Sequence, residues 1–356
     1  MDSGFEGIAT GIALSDSMHL KLRKVEELND ALYDITVPPE CMVDFMSSAI
    51  ASDLSFTCSS EDSDPDRVRE LLSGGEPDDG VLSRVVSLRF SKIKPFPWSV
   101  DTLSGMHCRL TKGRPGYDPG RVRNSPYIAS EPLFEVPDAM QPYAEVSLNN
   151  MIRTLNESAY HPFISVSLFW NGLELLQPYQ GDNRMFHGEV MLAALAAWNC
   201  RGMARTALGK HFVRASRPME CARREFLESG NPNLLASVTV DCMIAALQEA
   251  LAELRPLDVT RNVDGLTATI LRRSRMTPSF VMADVHDWVG DISDQAFRSR
   301  ISTLTELGVL EKVGNTRGSK YRYVDPFAEV RRINGWDRKL TAEDDLHMKR
   351  IHNPGR

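Results

Sequence analysis

The stretch QPYQGDNRMFH, Gln177 to His187, gathers residues that could act on an anion. A Gly-containing turn leading into a helix aims several backbone N–H groups at one point, where the helix dipole also favours negative charge. Gly181, Asp182, Asn183 and Arg184 stand at such a turn, and a guanidinium like that of Arg184 can grip phosphate or carboxylate through two parallel bonds. Asp182 cuts both ways: it can hold a metal ion, or it can cap the helix that opens at Arg184 and repel phosphate. His187, one turn into that helix, can contact an anion or take a proton, because imidazole titrates near neutral pH; a bond to a backbone carbonyl is the alternative. Gln177 is not a base. Its amide donates and accepts, so it can orient a group or cap the helix that precedes it.

A second set with chemical potential lies near the C-terminus. Arg298, Arg300, Arg317, Lys320 and Arg322 occupy positions from which a helix and a hairpin could contact nucleic-acid phosphates. Asp284, Asp287, Asp291 and Asp294 surround them, so a surface for a protein partner or for dimerisation is the competing reading.

The elements that must position these residues are mostly helices. Segments at Leu20–Leu32, Val43–Ile50, Arg67–Leu72 and from Val81 to Leu88 carry helical signals. Residues 111–137 hold too many Gly and Pro for a regular helix, and Tyr127–Ala129 with Leu133–Glu135 reads as a short hairpin. Asp138 can cap a helix whose face includes Met140, Leu148, Met151, Ile152 and Leu155. Pro162 at a first helical position opens the helix that ends near Gln177. The next helix, Arg184 to Trp198, is apolar nearly all round beyond Val190, as befits the centre of a helical core. More helices reach to about Leu254.

Near Arg272 the pattern changes. Thr277 is placed to cap a helix over Phe280–Val289; Gln295–Leu307, stopped by Gly308, forms the next; residues 309–313 and 320–324 form a hairpin. Two helices followed by a hairpin is the winged-helix order. The expected units are a lead and helix at 1–35, a helical domain at 36–265, a winged helix at 272–326 and a charged tail at 327–356.

Bulk composition narrows the functional classes. A net charge of −7 argues against non-specific binding to polyanions by the whole surface, so any nucleic-acid contact must be local. The six cysteines are widely spaced, without CxxC pairs or zinc-type His spacing, which favours reduced thiols. Asp2 and Glu6 occupy the place of a basic leader, and the apolar stretch Val190–Trp198 is too short to span a bilayer, so the cytoplasm is the expected compartment and no membrane partner is expected.

The order of elements and the loop together resemble the Fic family, whose motif HxFx(D/E)GNGRxxR joins two central helices. Gln177 stands at the motif His, Pro178 at the usual Pro and Tyr179 at the Phe; with one residue deleted after Gln180, Gly181 and Arg184 match the first Gly and first Arg. Asp182 and Asn183 then replace Asn and Gly, and His187 replaces the final Arg. An ungapped alignment instead matches Asn183 to the motif Asn and loses Arg184; the gapped one lets Arg184 open the helix. Ser47 to Ser52 resembles the inhibitory helix motif, with Ala51 at its Glu and Ser52 at its Gly. Pro119–Arg123 resembles the family's PGxyR entry, and residues 124–137 take the place of the flap hairpin.

The resemblance implies a mainly α fold with a short flap, a site for a nucleotide and a magnesium ion held by the acidic loop residue, here Asp182. It also implies AMP transfer from ATP to a hydroxyl, for which the motif His is the base. Gln177 cannot serve, and both ends of the inhibitory ion pair are replaced, at Ala51 and His187. The expectation is therefore a Fic fold with a degenerate loop that keeps an anion or nucleotide pocket for other chemistry. The alternatives are an inactive scaffold whose winged helix meets DNA or a protein, and a protein adenylyltransferase. A homodimer fits any of the three.

Overall fold

The computed structural model describes residues 14–57, 63–91, 95–111, 118–124, 144–157, 160–181, 183–314 and 319–334. The expected hairpin at Tyr127–Ala129 and Leu133–Glu135, the Asp138 cap, Asp182 and Arg317 lie outside the described residues.

Two long helices open the chain, α1 (Asp16–Asp34) and α2 (Pro39–Thr57). The Ser15 hydroxyl accepts from Met18 N at 3.2 Å, which starts α1 one turn earlier than its apolar period suggests. Three shorter helices follow: α3 (Pro65–Leu72), α4 (Val81–Arg89) and α5 (Val100–Thr111). The sequence does not announce α5, because its buried face includes His107 and Thr111 beside Leu103 and Leu110. Polar groups on the inner face break the apolar period by which such helices are recognised.

The centre of the body is the pair α7 (Pro162–Leu176) and α8 (Asn183–Ala197), preceded by α6 (Ala144–Asn156). Every residue of α7 from Phe163 to Leu176 is buried. Two short helices, α9 (Gly209–Arg214) and α10 (Ser216–Ser229), lead to α11 (Asn233–Leu254). Among the described residues, α11 is the helix long and apolar enough to cross a membrane. Here its apolar residues pack on α1, α7 and α10, and Lys21 of α1 reaches its Asp241 at 2.5 Å.

A second, smaller core follows. It collects Val259, Ile270 and Leu271 with Phe280, Val285, Phe297, Ile301, Leu304, Val309 and Leu310. The helices α12 (Gly265–Ser274), α13 (Met282–Val289) and α14 (Asp294–Glu306) supply most of it, closed by an antiparallel hairpin of β1 (Leu310–Val313) and β2 (Lys320–Tyr323). One expectation is corrected. Thr277 does not cap a helix from Phe280; its hydroxyl bonds back to Arg273 O at 3.1 Å. Phe280 instead pairs with Tyr321 through two backbone bonds of 2.8 Å, which holds it extended and delays α13 to Met282. Asp284 then caps that helix by accepting from Val281 N at 2.7 Å. The chain finally returns to the main body: Phe327 and Val330 of the segment around α15 (Ala328–Ile333) belong to the large core, with the Phe327 ring 4.8 Å from that of Phe90.

A tight contact joins the turn after α8 to α1. The Asn29 side chain accepts from Met203 N at 3.1 Å, and Gly202 lies so close that a Cβ there would sit 2.2 Å from Asn29 O. A backbone carbonyl in a helix cannot swing aside. Gly202→Ala should therefore lower stability by roughly 1–3 kcal/mol, the usual cost of overpacking, read as a lower urea midpoint at an unchanged slope.

Candidate functional site

The loop between α7 and α8 begins where α7 must stop. Gln177 takes the left-handed conformation at φ 46° and its N–H reaches Leu173 O at 2.8 Å. The Gln177 side chain is buried and turned back along its own helix, where Nε2 donates to Glu174 O at 2.8 Å. Its amide caps α7.

The other carbonyls of this helix end are also buried, and buried acceptors need donors. Arg123 supplies them: Nε donates to Gln177 O and Nη2 to Leu176 O, both at 2.7 Å, while its own N–H donates to Pro178 O at 2.9 Å. Arg123 is held in turn by the bend at Gly120, whose φ of 77° and approach to Ser104 O leave no room for a side chain.

His107 of α5 fixes the far side of the loop. It accepts from Gly120 N at Nδ1 over 3.1 Å, so its proton is on Nε2, which donates to Gly181 O at 3.0 Å. Its ring stacks on Tyr179 at 4.0 Å, and Phe186 closes edge-on at 5.0 Å from Tyr179. Burial pushes the Tyr179 phenol up to about 12, with the Ser104 hydroxyl acting the other way. Asn183 then ties the loop to itself: Nδ2 donates to Tyr179 O at 2.6 Å and Oδ1 accepts from Tyr179 N at 3.1 Å. Its amide is therefore occupied within the turn.

Arg184 Nε is buried, and no hydrogen-bond partner for it exists among the described residues; the same holds for Arg89 Nη1, Glu174 Oε2 and His187 Nε2. Arg184 lines a small cavity of about 30 Å³ together with Asp53, Arg89, Glu174 and Glu189, a space that suits one or two waters or part of a small ligand rather than a whole nucleotide. Arg89 grips Glu189 through Nε at 2.9 and 3.0 Å and through Nη2 at 2.8 Å, and the same Nη2 bonds Asp53 at 2.8 Å. Asp53 also accepts from Gly209 N at 2.8 Å. Burial alone would pull Arg89 down, but Glu189 and Asp53 hold it well above its ordinary range. Burial pushes Glu189 up against the opposing pull of Arg89.

His187 and Glu174 are both fully buried, and Nδ1 of His187 donates to Glu174 Oε1 at 2.9 Å. Behind Glu174 lies Arg223, whose Nε and Nη2 reach Asn171 Oδ1 at 3.3 and 3.2 Å. Burial pushes Arg223 down to about 10, with Glu174 acting the other way.

The inhibitory-type helix positions fall on α2. Ser47 is buried and bonds Val43 O at 2.7 Å; Ala51 is buried and Ser52 half-buried. What α2 presents to the cavity is Asp53 and Phe56. In the C-terminal unit, Arg298 and Lys320 are exposed, but Arg300 turns inward to Asp264 at 3.4 Å and Arg322 pairs with Glu311 across the hairpin.

Of the carboxylates beside Arg184, Asp53 and Glu189 bond Arg89 and Glu174 bonds His187 through Oε1, while Glu174 Oε2 is buried without a hydrogen-bond partner among the described residues. Asp182 lies outside the described residues, and among those described no three of His, Cys, Asp and Glu gather as a metal site. No step through a magnesium ion follows from these groups. Sequence reasoning missed Asp53, Arg89, His107, Glu174, Glu189 and Arg223. Arg123 stood in a noted motif, but nothing local marks which carbonyls it serves.

No protein-family model matches the chain, and no curated protein does. Among solved structures it is similar to a Fic family protein from Desulfovibrio desulfuricans G20, at 13% identity over 88% of this chain and 98% of that one, with a TM-score of 0.52. The fold is thus Fic-like: a mainly helical body that closes on a two-stranded hairpin. At this identity the likeness carries the fold and not the activity.

Arg123→Ala should strip donors from two buried carbonyls at once and cost about 3 kcal/mol or more. Arg123→Lys should recover little of this, since one ammonium cannot reproduce the planar fork that spans Leu176 O and Gln177 O. Denaturation midpoints of the two variants provide the check; a loss under 1 kcal/mol in Arg123→Ala would contradict the clamp.

Proposed function

We propose that this protein is a Fic-like fold that has given up AMP transfer to protein and retains a small anion-binding site at Arg184. The observation that carries this reading is the contrast within one loop. Gln177 and Asn183 are engaged in bonds that hold the loop together, while Arg184 Nε lies buried beside a cavity with no partner among the described residues. Transfer to a hydroxyl needs a group that takes its proton near neutral pH. An amide bonded to a carbonyl does not do that, and the His187 ring is buried against Glu174. An unpaired guanidinium in a partly dry cavity is costly to leave empty, and a phosphate or carboxylate oxygen answers it through a charge-assisted bond. The phosphate of a nucleotide is the family-type ligand; a small inorganic or organic oxyanion suits the cavity better by size.

A second reading concerns the C-terminal unit. Its order, α12, the Phe280–Tyr321 bridge, α13, α14, then β1 and β2, supports a winged helix. With Arg300 and Arg322 occupied by Asp264 and Glu311, the exposed Arg298 and Lys320 are the basic groups left for DNA among the described residues of the set. Asp287, Asp291 and Asp294 are exposed nearby. That balance favours a protein partner over a phosphate backbone.

Incubation with labelled ATP and lysate should label no protein above background, and Gln177→His alone should restore little, because the ties from Asn183 to Tyr179 and the Arg123 clamp on the loop remain. Strong labelling by the natural protein overturns the loss of AMP transfer. For the binding half, one site filled to 100 times its dissociation constant adds about 2.7 kcal/mol to stability. Phosphate, acetate or AMP should give such an increment in thermal melts, and Arg184→Ala should remove that site's share without lowering unliganded stability, because the buried unpartnered N–H goes with the side chain.

A further inference from the structure

Far from the α7–α8 loop, at the C-terminal end of α1, three guanidinium groups converge on one aromatic ring. The Tyr33 ring has Arg201, Arg205 and Arg275 at 5.6, 5.6 and 4.9 Å from its centroid. The docking of Gly202 and Met203 on Asn29 sets Arg201 and Arg205 there, and Arg275 comes from the end of α12 in the C-terminal unit.

Part of this charge is a helix cap. Arg205 Nη1 donates to Leu32 O at 2.9 Å, and Arg275 donates to Tyr33 O at 2.6 Å and to Asp34 O at 3.1 Å. A helix C-terminus carries only about half a negative charge, which one cation answers. Neither Arg205 nor Arg275 forms an ion pair with a carboxylate among the described residues. A further cation, Arg331, adds to the crowding, though it is paired with Asp325. Burial and the repulsion of Arg275 and Arg331 push Arg205 down to about 10. The Tyr33 hydroxyl accepts from Arg201 Nη1 at 3.1 Å, and its own proton has no acceptor among the described residues. Tyr33, Arg201 and Arg275 are half-buried, so an ion from solvent can reach them.

We propose that Tyr33, Arg201 and Arg275 form a second oxyanion site, at the seam between α1 and the C-terminal unit, that takes a ligand of the phosphate class. The tyrosine O–H and the guanidinium N–H groups are all donors, so the ligand must be an acceptor with several oxygens. Its negative charge relieves the repulsion between Arg275 and Arg205. Because Arg275 belongs to the C-terminal unit and Arg201 to the helical body, the bound ion would also join the two.

The full chain carrying Arg184→Ala, which separates this site from the one at the α7–α8 loop, is melted in sodium phosphate and in sodium chloride of equal ionic strength. A saturable rise specific to phosphate is expected. Adding Tyr33→Phe, which keeps the ring and deletes only the hydroxyl, should raise the half-saturating phosphate at least fivefold. An AMP series tells the source: saturation at lower concentration than inorganic phosphate assigns a nucleotide phosphate, and the reverse assigns the free ion. Equal melting in the two salts, or half-saturation unchanged by Tyr33→Phe, overturns the site. Should Arg184→Ala not fold, Arg184→Gln carries the same comparison.

Discussion

The end of α7 is buried, and its carbonyls can be satisfied in only one direction. Water does not reach Leu176 O or Gln177 O, so the chain brings a guanidinium to them from more than fifty residues earlier. Much follows from that placement. Arg123 can arrive only because Gly120 permits the bend, and Gly120 in turn sets the His107 tautomer through its N–H. The same ring then holds Gly181 O, and so fixes where α8 starts. The register of α8 decides that Arg184 faces the cavity and that His187 faces Glu174.

The electrostatics around this axis show why a buried charge cluster can be stable without being reactive. Arg89 grips Glu189 through paired bonds and reaches Asp53 with the same Nη2, while its Nη1 is buried without a hydrogen-bond partner among the described residues. The three come from α4, α8 and α2, so the cluster also fastens three helices that share few other contacts. Such triads are costly to desolvate and are tolerated when their geometry is closed. Arg184 lines the same cavity, where its Nε, Arg89 Nη1 and Glu174 Oε2 are all buried without a hydrogen-bond partner among the described residues.

Local pattern made much of the helical body legible. The helices α7 and α8 stand out because they are apolar on nearly every side, and Pro162 marks the start of α7. By contrast, α5 was hidden by His107 and Thr111 on its inner face, and the start of α13 was misplaced because a single bridge between Phe280 and Tyr321 is a long-range choice. For the loop, the sequence identified the residues but not their partners. Gln177 meets a carbonyl three residues back, yet His107, Arg123 and Arg89 act across 74, 54 and 100 positions. Nothing local records such pairings. The inward turn of Arg300 toward Asp264 was invisible for the same reason: a charge on a helix looks the same in sequence whether it faces solvent or a neighbouring cap.

The C-terminal unit enters and leaves the helical body under restraint at both ends. At its start, Val259 N bonds Thr36 O at 2.9 Å and Asp258 accepts from Thr36 N at 3.2 Å; at its finish, Phe327 is buried against Phe90. A module on a single linker samples a sphere, whereas this one is held at both ends and again by Arg275, which bonds Tyr33 O and Asp34 O of α1. A shift of the C-terminal end of α1 would therefore reach α12 directly, through those bonds of Arg275.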